Sequence, residues 1–128
     1  GTTRLSRKLG AMMAAPFLLE GKLSDPKSAK GAGLIDEVVA PEDLLKRAKE
    51  WVLSATDADL VKPWDAKGYK MPGGSPKTPA FAANLPAFPA NLRKQVKGAD
   101  YRAPKAILSA AIEGASVDFD TASRIESR

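Results

Sequence analysis

Two residue types are missing from this chain altogether. Without cysteine it has no disulfide, no thiol nucleophile and no thiolate metal site. Without histidine it lacks the commonest metal ligand and the usual general base near neutral pH. Acid–base chemistry by these residues alone would fall to carboxylates, lysine, serine or tyrosine. No apolar run approaches the ~20 residues that span a bilayer, so no membrane partner is expected. The first ten residues hold three cations and no apolar core; no signal peptide is read there, and a cytoplasmic location is expected.

What is present bounds the rest. A chain of 128 residues, 44% hydrophobic, is long enough for one domain with a modest core. Twenty cations among fifteen anions give a net charge of +5. Such a balance suits nucleic acid, a membrane surface or phosphorylated ligands equally. A bias this mild reads first as a solvated surface, and nucleic acid ranks below it. The chain opens on Gly1 and reaches Arg128 within a helical pattern, so a longer parent is expected.

Leu5, Leu9, Met12 and Met13 recur at helical spacing, with Arg4, Arg7 and Lys8 on another face, and Gly10 should break or bend that helix. A second helix is expected from Met12 to Glu20. Pro16 is awkward inside it, which predicts a late start near Ala15 or a kink. Gly21 suits its C-terminal stop. Ser24 reads as an N-cap with Pro26 in the first turn, and Gly33 ends a short helix. Leu34 to Val39 has strand character. Pro41, Glu42 and Asp43 open the next helix, whose stripe is Leu44, Leu45, Ala48, Trp51 and Val52. Seven of the ten prolines lie between positions 57 and 104, interspersed with Trp64, Tyr69, Phe81 and Phe88. Aromatics so placed pin an irregular segment to a core. A short helix is expected from Pro89 to Val96, stopped by Gly98. Another follows Pro104 to about Gly114, and a last one is capped by Asp118.

Three motifs occur in order: Gly1-Thr2-Thr3-Arg4-Leu5, then Leu18-Leu19-Glu20-Gly21-Lys22-Leu23-Ser24, then Ala29 to Val39 ending Gly33-Leu34-Ile35-Asp36-Glu37-Val38-Val39. As a set, over roughly the first 55 residues, they resemble the late part of a crotonase (enoyl-CoA hydratase/isomerase) domain. Trp64 to Gly74, Phe81 to Lys94 and Tyr101-Arg102-Ala103-Pro104 resemble bacterial multifunctional fatty-acid oxidation proteins. In those, a hydratase domain precedes a 3-hydroxyacyl-CoA dehydrogenase domain. The resemblance implies addition of water to trans-2-enoyl-CoA, with two glutamates handling water and proton and two backbone N–H groups holding the thioester oxygen. In the family those elements lie upstream of the part matched here, so no catalytic residue is carried over. An acyl-CoA substrate, NAD and a thiolase subunit are implied for the whole protein, and no cofactor for this chain. Gly31-x-Gly33 and Gly73-Gly74 lack the x-x-Gly and the strand–turn–helix setting of a dinucleotide fingerprint.

Met12, Met13 and Phe17 are candidates for an acyl pocket, since methionine adapts to variable apolar shapes; ordinary core packing is the competing reading. Arg93, Lys94 and Lys97 are candidates for the phosphates of coenzyme A; a solvated helix face competes. Asp36 and Glu37 adjoin on a strand and point to opposite faces, so they make no acid–base pair. Asp118 and Asp120 read as capping residues, and Ser24 as a cap without a base to activate it. No metal site is read.

The expected fold is mainly α: the C-terminal helical part of a crotonase-like domain with one short strand and a Pro-rich irregular segment. Residues 1–56 would be late crotonase helices and strand, 57–104 the irregular segment, and 105–128 terminal helices leading toward a dehydrogenase. Self-association is expected, because the first two helices would expose apolar faces. The alternative is a non-enzymatic basic helical module that binds partners or nucleic acid. A stand-alone protein binding coenzyme A is a third reading.

Overall fold

A computed structural model describes residues 1–21 and 23–128; Lys22 of the second motif lies outside the described residues. The helices run α1 (Thr2–Leu9), α2 (Ala11–Glu20), α3 (Pro26–Gly31), α4 (Leu44–Ser54), α5 (Asp57–Leu60), α6 (Pro79–Asn84), α7 (Ala87–Gln95), α8 (Arg102–Gly114) and α9 (Phe119–Ser127), with 3-10 turns at Pro41–Asp43 and Pro63–Asp65. The chain forms two compact units. One comprises Gly1–Leu23 with Lys70–Arg128, the other Ser24–Tyr69.

In the first unit α8 is the hub, touching α1, α2, α7 and α9. Its core is small: Ala11, Phe81 and Phe88 are buried, with Leu85, Leu108 and Ile112 packed against them. The two rings meet edge to face, centroids 5.6 Å apart, an arrangement that suits their quadrupoles. Small residues let helices approach. Ala122 is fully buried, and a Cβ at Gly114 would lie 3.2 Å from its methyl. Two of the aromatics in the Pro-rich stretch are thus core residues. Phe81 sits on α6, a helix that the proline count conceals; Pro79 occupies its first turn, where a missing N–H costs nothing.

The chain breaks at Gly10, whose φ of 83° and ψ of 153° separate α1 from α2. Pro16 neither delays nor ends α2, which begins at Ala11 and runs through it. The bond that proline removes is outweighed by packing of this ten-residue helix against α1 and α8. Gly21, at φ 61° and ψ 25°, closes it in the left-handed region as expected.

The face that α1 buries is not the leucine face. Thr2, Thr3, Ser6 and Arg7 are buried, while Leu5 and Leu9 are half-exposed. The polar groups of Thr2, Thr3 and Arg7 are answered by groups more than a hundred residues away, while the buried Ser6 hydroxyl has no hydrogen-bond partner. Glu126 of α9 accepts from the backbone N–H groups of Thr2 and Thr3, both at 2.9 Å, and pairs with the Gly1 ammonium at 2.8 Å. It thereby caps the positive end of α1. The Thr3 hydroxyl donates to the Ala122 carbonyl at 3.2 Å. Arg7 donates to the carbonyls of Gly114 (3.3 Å) and Val117 (2.8 Å), closing the C-terminus of α8. The Arg4 and Arg7 guanidiniums also lie 5.3 and 5.6 Å from the Phe119 ring centroid.

Partial burial alone would raise the Glu126 pKa, but hydrogen bonds from the Gly1 ammonium, Thr3 and Thr2 outweigh it and hold the carboxyl at about 2. A carboxyl depressed by folding contributes stability above its unfolded pKa, and that contribution fades as pH falls toward the folded value. Glu126→Ala is expected to cost about 1–2 kcal/mol at neutral pH, the range of a lost helix cap. Glu126→Gln should flatten the fall in stability between about pH 5 and pH 2, read from urea midpoints across that range.

The second unit is held mainly by local bonds. The Asp25 side chain accepts from the Ser28 N–H at 3.0 Å, so the cap of α3 is Asp25, one residue after the expected Ser24. Thr56 and Asp59 form a capping box on α5. Arg47 bonds Glu37 at 2.9 Å and Glu50 at 3.3 Å. Leu34 to Val39 is not a strand. The Leu34 N–H returns to the Ala29 carbonyl at 2.9 Å, and the following residues form no ladder. β-branched residues need a partner strand to become one, and no strand occurs among the described residues. The α4 stripe exists but is uncovered: Leu44, Leu45, Trp51 and Val52 are all more than half exposed.

Candidate functional site

Two depressions in the first unit are lined by α7 and α8. The larger, about 600 Å³, runs from Pro89, Arg93 and Val96 across the turn at Ala99–Tyr101 to Pro104 and Lys105. Its charges are mixed. Lys105 is ion-paired with Asp100, leaving Arg93 as the other cation on the lining. Lys94 and Lys97 do not line it. Lys97 is exposed at the end of α7, at φ 52° just before Gly98. The three cations proposed for phosphate binding therefore do not converge on one cavity, although they stand within one short stretch of sequence.

The smaller depression is an apolar cleft of about 130 Å³ between α2, α7 and α8. Leu18, Leu19, Leu92, Ile107 and Leu108 wall it, with Phe88. Alanines at 11, 15 and 111 leave the space open. Met12 stands on the lining and is 55% exposed. Met13, 68% exposed, and half-buried Phe17 are not on the lining. Of the three residues predicted for an acyl pocket, the structure places Met12 at an apolar cavity. The wall residues of α7 and α8 went unrecognised, because each reads simply as a helix-face residue. Asn91 and Gln95, one turn apart on α7, add the polar part of the lining. Gln95 donates to Glu20 at 2.6 Å, tying the ends of α7 and α2 together.

Several carboxylates of this chain are engaged in caps and ion pairs. Glu126 and Asp118 cap helices, the latter accepting from the Thr121 N–H at 2.9 Å, a bond that lowers its pKa. Glu37, Glu50, Asp100 and Glu113 are engaged with Arg or Lys side chains. No carboxylate lines the apolar cleft, and Asp100 alone lines the larger one. Among the described residues no group of three or more acids could hold a metal ion, and no helix is long and apolar enough to cross a membrane. A dinucleotide does not fit the glycine pairs. Gly31 ends α3, and Gly73-Gly74 lies in a turn ahead of α6, with no strand leading into either. Arg7, read as part of a basic face, is buried against carbonyls.

No protein-family profile matches the chain. It is 36% identical over 64 residues, half of its length, to a peroxisomal fatty acid beta-oxidation multifunctional protein of Oryza sativa subsp. japonica. It is 39% identical, again over 64 residues, to the glyoxysomal fatty acid beta-oxidation multifunctional protein MFP-a of Brassica napus. Over 48 residues, 38% of the chain, it is 42% identical to a probable enoyl-CoA hydratase of Mycobacterium avium. The matched stretch covers 8% and 9% of the two plant proteins and 19% of the mycobacterial one.

Proposed function

We propose, from this partial homology to fatty-acid β-oxidation multifunctional proteins and enoyl-CoA hydratases, that the chain is the late helical part of a hydratase domain. The order and spacing of its three crotonase-like motifs is the observation that carries the reading. In that parent, water adds across trans-2-enoyl-CoA: hydroxyl to the β-carbon, proton to the α-carbon. Two carboxylates facing the double bond would be needed for it. The engagement of this chain's acids in caps and ion pairs supports a scaffold role for these residues, with the acid–base pair elsewhere in the parent. NAD-dependent oxidation of the 3-hydroxyacyl-CoA product, a thiolase partner and a cytoplasmic location belong to the same proposal; the two plant relatives are named for peroxisomes and glyoxysomes.

The 128-residue protein, assayed for hydration of crotonyl-CoA by loss of enoyl thioester absorbance, is expected to show no turnover above the buffer rate. Measurable turnover would overturn the assignment of the chemistry to other residues. Self-association is also part of the proposal. Met12 and Met13 expose apolar surface on α2, and the uncovered stripe on α4 adds to it. Light scattering at micromolar concentration should show more than a monomer, and a clean monomer counts against it.

A further inference from the structure

We infer that the basic stretch around the α7–α8 turn, residues 93–105, is an interaction surface for the acidic stretch 34–45 of a second copy of this chain. The inference rests on the proposed self-association and names its contact.

The net charge of +5 hides a division along the chain. Residues 93–105 carry Arg93, Lys94, Lys97, Arg102 and Lys105 against Asp100, a charge of +4. Residues 34–45 carry Asp36, Glu37, Glu42 and Asp43 and no cation, a charge of −4. All of these side chains are exposed. Lys105 pairs with Asp100 and Glu37 with Arg47. One surface therefore offers Arg93, Lys94, Lys97 and Arg102, and the other offers Glu42 and Asp43. Exposed ion pairs contribute little each; their part is to steer the encounter and select the partner. Apolar burial supplies the rest. The depression of about 600 Å³ beside Arg93 has Leu92, Val96, Pro104 and Leu108 on its lining. Ile35 and Val38 stand exposed among the acids and suit that lining. Residues 35–40 belong to no helix or strand, so their backbone is free to follow a groove. A nucleic acid is served less well. Asp100 stands on the lining, and Tyr101 is the one ring in the stretch on which a base could stack. Each copy carries both surfaces, so the contact is head to tail and one copy can engage two neighbours.

The test is sedimentation equilibrium of the whole chain over a series of protein concentrations. Association should weaken at least about tenfold between about 0.05 and 0.5 M sodium chloride, as screening shortens the reach of the charges. Arg93→Glu with Arg102→Glu should weaken it at least about tenfold, and so, separately, should Glu42→Lys with Asp43→Lys, since like charges then face one another. Arg93 and Arg102 lie exposed at the ends of α7 and α8, so circular dichroism of the first variant should be unchanged. An equimolar mixture of the two variants should recover the affinity of the unchanged chain to within about threefold. The first variant keeps its acidic stretch and the second its basic one, and only direct pairing of the two surfaces restores association in this way. Should the acidic-side variant lose helix content, the salt series on the unchanged chain decides. Association that persists or strengthens in salt, or a mixture of folded variants no tighter than its components, would overturn the inference while leaving self-association through the exposed apolar faces intact. A monomer at every concentration would overturn both. Binding of a single-stranded oligonucleotide at residues 93–105 with no effect on association would also overturn the inference.

Discussion

Gly10→Ala should destabilise the first unit by about 3–5 kcal/mol, a large share of a small domain's stability. Two costs add. At φ 83° and ψ 153° the backbone occupies a region that is essentially glycine's alone, worth about 1–3 kcal/mol for any other residue. A Cβ built there would also lie 2.1 Å from the Pro72 carbonyl oxygen. That neighbour is backbone, so relief requires moving the 71–74 turn or reopening the α1–α2 joint, comparable to overpacking a core at about 1–3 kcal/mol. Gly21→Ala is the control. Its φ is 61° and ψ 25°, and nothing lies within 4 Å of the added carbon. The left-handed penalty alone, about 1–2 kcal/mol, should apply. Unfolding free energies from urea titrations should differ between the two variants by at least about 1 kcal/mol in that order, with the lower midpoint at Gly10→Ala. Equal midpoints would show that the crossing at Pro72 carries no weight.

Phe81→Ala comes next, at about 3–5 kcal/mol. Phe81 is 4% exposed and sits in a small apolar cluster with Ala11 and Phe88, so little surrounds it that can collapse into the gap. Its loss also removes the edge-to-face contact with Phe88 and the anchor that holds the Pro-rich stretch against α2. Trp51→Ala deletes a larger side chain from α4, but that ring is 51% exposed, and its replacement is expected to cost less than about 1 kcal/mol. Thermal melts followed by circular dichroism should therefore rank the small aromatic far above the large one. A reversed ranking would mean that α4 is buried in solution, most simply against a second copy.

The contrast between these aromatics marks what could and could not be read from the chain. In sequence Trp51 lies on a helix's apolar stripe, whereas Phe81 lies in a Pro-rich segment read as irregular. What separates them is the neighbour each finds. The same holds for α1. Its leucines predict the buried face, yet Thr2, Thr3 and Arg7 are enclosed, because Glu126, Ala122, Gly114 and Val117 meet their polar groups.

The sequence by itself determined where helices stop and start whenever the signal acts within a turn. Gly10 and Gly21 ended helices through backbone freedom, Asp118 capped α9 by a bond three residues long, and α4 began behind Pro41, Glu42 and Asp43. Its motif order also pointed to the β-oxidation proteins with which half of the chain shares 36% identity. Only the tertiary structure decided that Pro16 stays inside α2, that Leu34 to Val39 is no strand, and that Met12 alone of three candidates meets an apolar cleft. The physical reason is range. Caps and glycine conformations are settled by neighbours three or four residues away. Strand pairing, the tolerance of a proline and the burial of a face depend on groups distant in sequence, whose positions no local pattern encodes.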